Sequence, residues 1–251
     1  MLNVAYIVAD KTDAWFDMSV KQASQIADRF VFVIDRPDAH TWEVIEQAQS
    51  VKPTVVLHNR YATESKNADG SQRTIYLQWL KKNALGEHAL VLDTDEILSD
   101  NSHDLFKYLA LPDVNCFDIR MRHIWFGLSI EDCSFNPHMV NRRLFRVSAD
   151  LSYPLVEHPI LEGKINLGEI KDVQIWHLNV VKGVLSEVHK YKVQCKKSNI
   201  HTPEELLGWH LWHVMGANPS LRRFDVKELP KIVRDYCCIN EKGEPILYEN
   251  S

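Results

Sequence analysis

Within its first hundred residues the chain alternates short apolar runs with amphipathic stretches, and no other feature restricts its fold as much. Residues 4–9, 31–34, 54–57 and 89–92 are apolar runs of strand length. Between them, residues 17–30 place Met18, Ala23, Ile26, Ala27 and Phe30 at helical spacing. Residues 42–48 also read as helix, and residues 71–85 carry Ile75, Leu77, Leu80 and Leu85 on or near one face. Strands separated by helices require right-handed crossovers and a mostly parallel sheet. Such sheets bind ligands beyond the carboxyl ends of their strands. Asp10, Asp35, Asn59 and Asp93 all fall at those ends.

After residue 100 the pattern changes. Residues 117–121, 143–147 and 173–176 read as strands with irregular connections. Residues 184–198 and 203–215 read as helices, the second opened by a Thr202 cap and Pro203 in the first turn. There is no internal repeat or low-complexity linker. The expected architecture is therefore an α/β domain over residues 1–180, with a helical C-terminal extension over 181–251 packed on it.

A 45% hydrophobic and 25% charged composition excludes wholesale disorder, and a net charge of -5 argues against a protein that coats nucleic acid. No apolar run approaches the ~18–20 residues of a membrane span. Residues 1–9 lack the basic flank of a signal peptide. The 5 cysteines, an odd count without C-x-x-C spacing, fit reduced thiols and a cytoplasmic protein. The helix over 206–215 is apolar on more than one face, which reads as packed core, an oligomer seam or an anchor at the inner membrane surface.

The segment Glu87-His88-Ala89-Leu90-Val91-Leu92-Asp93-Thr94-Asp95-Glu96-Ile97-Leu98 concentrates the chemistry. An apolar strand delivers two carboxylates to its end, and the following turn exposes them. Oxygen ligands on such a turn suit a hard divalent cation that also binds a diphosphate. The competing reading is a helix N-terminus, with Asp95 or Glu96 set against the dipole.

Together with Val33-Ile34-Asp35, Ser71-Gln72-Arg73, Asn141-Arg142-Arg143-Leu144-Phe145-Arg146, residues 156–161 and Ile175-Trp176-His177, this segment resembles the family 2 glycosyltransferases of the GT-A fold. The likeness is to the branch with a strand ending Asp-x-Asp-Glu, and it covers roughly residues 2–197. It implies a GT-A-type, mostly parallel but mixed sheet flanked by helices. It also implies a metal-dependent enzyme that moves a sugar from a nucleoside-diphosphate sugar, by family tendency UDP-linked, to a hydroxyl acceptor with inversion.

By that resemblance Ala9, Asp10 and Asp35 line the base and ribose pocket, Arg73 faces the nucleotide, and Asp93 contacts ribose or sugar. Asp93, Asp95 and His177 form the metal set for Mn²⁺ or Mg²⁺, imidazole favouring Mn²⁺. A base must deprotonate the acceptor, and Asp132 and Glu157 are the candidates, with Glu131 beside them. Related sequences carry His-Glu where this chain reads Glu157-His158-Pro159. Trp125, Arg142, Arg146 and His158 fall on the acceptor side. Arg142, Arg143 and Arg146, with ten Lys/Arg between Lys182 and Arg234, read as a groove for a phosphate-bearing acceptor (a glycan, a lipid-linked sugar or modified nucleic acid) or as a solvated face.

Three alternatives remain at this level. A sugar nucleotidyltransferase would have a glycine-rich loop where this chain reads Ala9-Asp10-Lys11-Thr12-Asp13. A phosphatase using Asp-x-Asp-x-Thr/Val would want Thr or Val at Ile97. A non-catalytic partner-binding protein on the same fold would have lost metal carboxylates that are present here.

Overall fold

The structure is a computed structural model and describes residues 1–9, 12, 14–59, 68–125, 130–132, 142–155, 159–180 and 221–237. Four parallel strands form its first half: β1 (Leu2–Ala9), β2 (Arg29–Asp35), β3 (Thr54–His58) and β4 (His88–Asp93), in the order β3-β2-β1-β4. Their connections carry α1 (Ala14–Ala23), α2 (Ala39–Val51) and α3 (Ala68–Asn83). Asp38 caps α2, its carboxylate accepting from the Thr41 backbone N–H at 2.8 Å.

The second half is antiparallel where it joins. After β5 (Glu96–Leu98) and the short α4 (Leu105–Leu109) come β6 (Cys116–Trp125), β7 (Ile130–Asp132), β8 (Arg142–Arg146) and β9 (Leu167–Val180). Strand β8 pairs antiparallel with β4 and β6, and β9 runs parallel to β6 and antiparallel to β5. A last strand, β10 (Leu221–Arg223), pairs with β7 and leads to α5 (Lys231–Tyr236). The result is the mixed α/β sheet with flanking helices expected from the sequence.

Strand alternation sends side chains to two cores. Tyr6, Phe30, Phe32, Leu90 and Leu92 face α1 and α2, where Tyr6 meets Phe16 edge-on at 5.7 Å and stacks on Phe32 at 5.5 Å. Ala5, Ile7, Val31, Val33 and Val91 face α3, packing with Tyr76, Leu77, Leu80 and Phe145. A third cluster joins Trp15 and Met18 of α1 to Ile97, Ile124, Trp176, Leu178, Leu229 and Val233, so the segment before and within α5 docks back onto the sheet.

Several expected boundaries shift. The helix expected over 17–30 ends at Ala23, because the run Arg-Phe-Val-Phe-Val-Ile-Asp has the β-branched and aromatic composition of a buried strand and Phe30 joins β2. The strand expected over 173–176 extends over Leu167–Val180, since it has β6 beside it along most of its length. The helix expected over 71–85 stops at Asn83, before the turn in which Gly86 adopts φ +84. The helices expected over 184–198 and 203–215 lie outside the described residues.

Candidate active site

The site forms where β1, β2 and β4 end. Asp93 is the last residue of β4, but the acidic motif opens no helix there. After a two-residue turn the chain enters β5, whose Glu96 pairs across to His177 of β9. Capping of a helix by Asp95 or Glu96 is thereby excluded. Two ties fix this turn. The Leu178 N–H donates to the Asp95 carbonyl at 2.9 Å, and the Ser19 hydroxyl of α1, itself 2.9 Å from the Tyr6 hydroxyl, donates to the Glu96 carbonyl.

Asp93 and Glu96 form an ionic cluster with two arginines. Arg143 of β8 donates to Asp93 Oδ2 at 3.1 Å and to Glu96 Oε1 at 2.5 Å, while Arg73 of α3 lies 3.4 Å from Asp93 Oδ1. Glu96 Oε2 accepts the Asp93 backbone N–H at 2.9 Å. The Glu96 side chain is 1% exposed and that of Asp93 33%, so Asp93 forms the accessible end of the cluster. Burial disfavours the charge on Asp93, but Arg143 and Arg73 outweigh it and hold the carboxyl well below its usual range. In Glu96 burial wins: its pKa is raised, with the Asp93 charge adding to burial and Arg143 opposing it.

A second group lies on the other side of the turn. His177 Nε2 is 3.5 Å from Asp95 Oδ1, and its Nδ1 lies 2.9 Å from Nδ1 of His123 on β6, the two rings meeting at 80°. Burial presses the His123 pKa down to about 3, with His177 and Arg143 adding positive charge. Two ligand atoms on adjacent octahedral corners, each about 2.1 Å from a first-row divalent ion, lie about 3 Å apart. Asp95 and His177 nearly meet that spacing and combine carboxylate oxygen with imidazole nitrogen. Among the described residues no group of three or more His, Cys, Asp or Glu is placed to hold a metal ion.

Asp35 closes β2 at the same end of the sheet, its buried Oδ2 without a hydrogen bond among the described residues and 3.8 Å from Arg36 Nε. Arg36 itself sits at φ +47, a left-handed conformation uncommon for a non-glycine residue. Ala9 ends β1 in register with Asp35. Asp132 pairs in register with His123 across β7 and β6, and Trp125 ends β6 opposite Val180.

Two sequence expectations change. Arg146 pairs with His88 at the start of β4, five residues from Asp93, which puts it about 16 Å from the site at ~3.3 Å per strand residue. The antiparallel register carries it away from any acceptor bound near Asp93. Arg143 turns inward to the carboxylates, so the cationic strand is not one exposed groove. Arg142 donates to the Leu161 carbonyl. Asp10, Glu157 and His158 lie outside the described residues.

The sequence reading gave three residues no part in this site, Glu96 being set only against a helix dipole and Arg143 only in a cationic strand. Glu96 stood within the quoted motif, but its burial depends on β5. Arg143 and Phe145 alternate with Leu144, and that period places Arg143 on the α3 face. Nothing in the sequence around His123 distinguishes it.

The mixed sheet with flanking helices is consistent with a GT-A-like fold. Among solved structures, S. aureus TarS 1-349 superposes with a TM-score of 0.52 at 12% identity, covering 78% of this chain and 70% of that one. TarS is itself GT-A-like. A longer TarS structure gives 0.48 at 14% identity over 79% of this chain and 43% of that one. TarS 1-349 in complex with UDP gives 0.47 at 14% identity, covering 86% and 81%. No family model matches the chain, and no curated protein matches it either.

Proposed function

We propose that this chain is a glycosyltransferase that moves a sugar from a nucleoside-diphosphate sugar, UDP-linked, to a hydroxyl acceptor with inversion. One observation carries the reading: Asp95 and His177 face each other beside the Arg73–Asp93–Arg143 cluster, beyond the carboxyl ends of parallel strands. Asp35 has the acceptors for a uracil N–H or a ribose hydroxyl. Asp93, kept ionised and aimed by two guanidiniums, accepts from a ribose or sugar hydroxyl. Asp95 and His177 are the residues that would hold Mn²⁺ or Mg²⁺. A cation bound there supplies positive charge against the diphosphate as it leaves. Asp132 and Glu157 remain the candidates for the base.

Calorimetric titration of UDP with and without Mn²⁺, repeated with GDP, CDP and dTDP, tests the donor site. We expect Mn²⁺-dependent binding of UDP above the others, and its loss in Asp95→Ala. A folded protein that binds none of the four nucleotides would overturn the proposal and favour the non-catalytic alternative. Of the described residues, no helix is long and apolar enough to cross a membrane.

A further inference from the structure

We infer that Thr41 and Thr12 are positioning residues for the nucleobase: the bond between their hydroxyls ties the chain leaving β1 to the start of α2 and so favours a pyrimidine over a purine. The inference rests on the nucleotide reading above and adds to it what selects the base. Parallel strands β1 and β2 end in register at Ala9 and Asp35. A planar base bound beyond those ends lies between the chain leaving β1 and the chain leaving β2. Asp35 begins the second exit, and its buried Oδ2 has no hydrogen bond among the described residues. Thr12 stands three residues past Ala9 and Thr41 six past Asp35, and their hydroxyl oxygens lie 2.9 Å apart.

Thr41 is the anchored partner. It is fully buried in the first turn of α2, whose Val44, Ile45 and Ala48 pack in the core. Asp38 Oδ1 accepts the Thr41 backbone N–H at 2.8 Å and the Thr41 hydroxyl at 2.7 Å. A hydroxyl has one proton and the carboxylate takes it, so the Thr12 hydroxyl donates to Thr41 Oγ1. Before this cap Pro37 fixes its own φ and Arg36 holds φ +47, which restricts the turn from β2 to α2. Thr12 is half-buried and lies between the end of β1 and the start of α1 at Ala14. The bond therefore passes a fixed position from α2 to the β1 exit. Uracil has one ring and guanine two, so walls held together by this bond favour the smaller base, and walls released from it lose that preference.

Calorimetric titration of UDP and of GDP, each with Mn²⁺ present, into wild type, Thr12→Val, Thr41→Val and Thr41→Ser tests the pair. Valine keeps the shape of threonine without the hydroxyl, and Thr12→Val leaves the Asp38 cap untouched. Each valine variant should bind UDP about 3–10-fold more weakly, the range that one neutral hydrogen bond carries, and GDP no more weakly than wild type does. The preference for UDP over GDP then falls by the same factor. Both valines together should cost no more than one alone, because each removes the same bond. Thr41→Ser should keep the wild-type preference. In nucleotide-free protein, hydrogen–deuterium exchange over residues 9–15 should quicken in both valine variants and not in Thr41→Ser. If Thr41→Val does not fold, Thr12→Val decides. An unchanged preference in folded Thr12→Val, or equal losses for UDP and GDP, overturns the inference while the nucleotide reading stands. A wild type that binds neither nucleotide, or prefers GDP, defeats that reading and the inference with it.

Discussion

Replacing Arg143 by Met should expose how much the carboxylate cluster depends on one guanidinium. Arg143 is 12% exposed in its side chain and contacts both Glu96 and Asp93. Its removal strands Glu96, which is 1% exposed, whereas Asp93 keeps Arg73. Breaking a buried pair from one side costs about 3–5 kcal/mol. The cluster has an escape, because Glu96 can take up a proton. With its pKa already raised from 4.5 to about 7, Glu96 in the wild type carries most of the roughly 3.4 kcal/mol that full neutralisation would cost at pH 7. Without Arg143 the folded-state pKa of Glu96 rises further, so the variant's added charge penalty is small at and below pH 7 and grows as pH rises above 7, to at most about 2.7 kcal/mol at pH 9. Urea unfolding at pH 6 and pH 9 should therefore show a loss at pH 9 that is larger by about 2 kcal/mol than the loss at pH 6. Adding Glu96→Gln to Arg143→Met should recover most of the extra loss at pH 9. Equal losses at both pH values, or no recovery in the double variant, would refute the account.

Other perturbations test neighbouring parts. Asp95→Asn should remove Mn²⁺-dependent UDP binding in calorimetry while thermal unfolding moves by no more than a few degrees, since Asp95 has backbone ties that the side chain does not supply. His123, with its pKa pressed to about 3, stays neutral in the folded protein while the unfolded chain protonates near 6.5. Stability should thus fall as pH drops from about 6.5 toward 3, and His123→Asn should flatten that acid limb in urea midpoints measured across the range. Arg122, 3% exposed, lies 4.1 Å over Trp176 and 4.7 Å over Phe224 and pairs with Glu228 at 2.7 Å. Arg122→Ala should cost about 2 kcal/mol and speed limited proteolysis within residues 221–237, read by mass spectrometry of the fragments.

The parallel half of the fold was legible because each of its strands is a continuous apolar run and each helix keeps one apolar face. Asp35 and Asp93, with Asp95 in the turn that follows, stand at strand ends that periodicity identifies, whereas Arg73 and His177, which lie inside α3 and β9, were marked only through the family resemblance. Arg146 shows where such reading stops. Its charge and its proximity to Arg142 in sequence matched an acceptor groove, yet antiparallel pairing with His88 put it at the opposite end of β4. Glu96 and His123 were hidden for a related reason. Their roles come from pairing partners some eighty residues or fifty residues away, and a local pattern does not encode register.

The pairing of β5 with β9 also sets a schedule for synthesis. Strands β1 to β4 can find one another through crossovers of modest length as they leave the ribosome, so a parallel core can form early. Asp95 waits much longer. The histidine that faces it arrives some eighty residues later, on a strand that must slot between β5 and β6. A nascent chain stalled before β9 would carry a folded parallel half whose acidic turn is held from the α1 side alone. Force or protease probes on stalled chains of increasing length should therefore register the core first and the Asp95–His177 pair as a separate, later event.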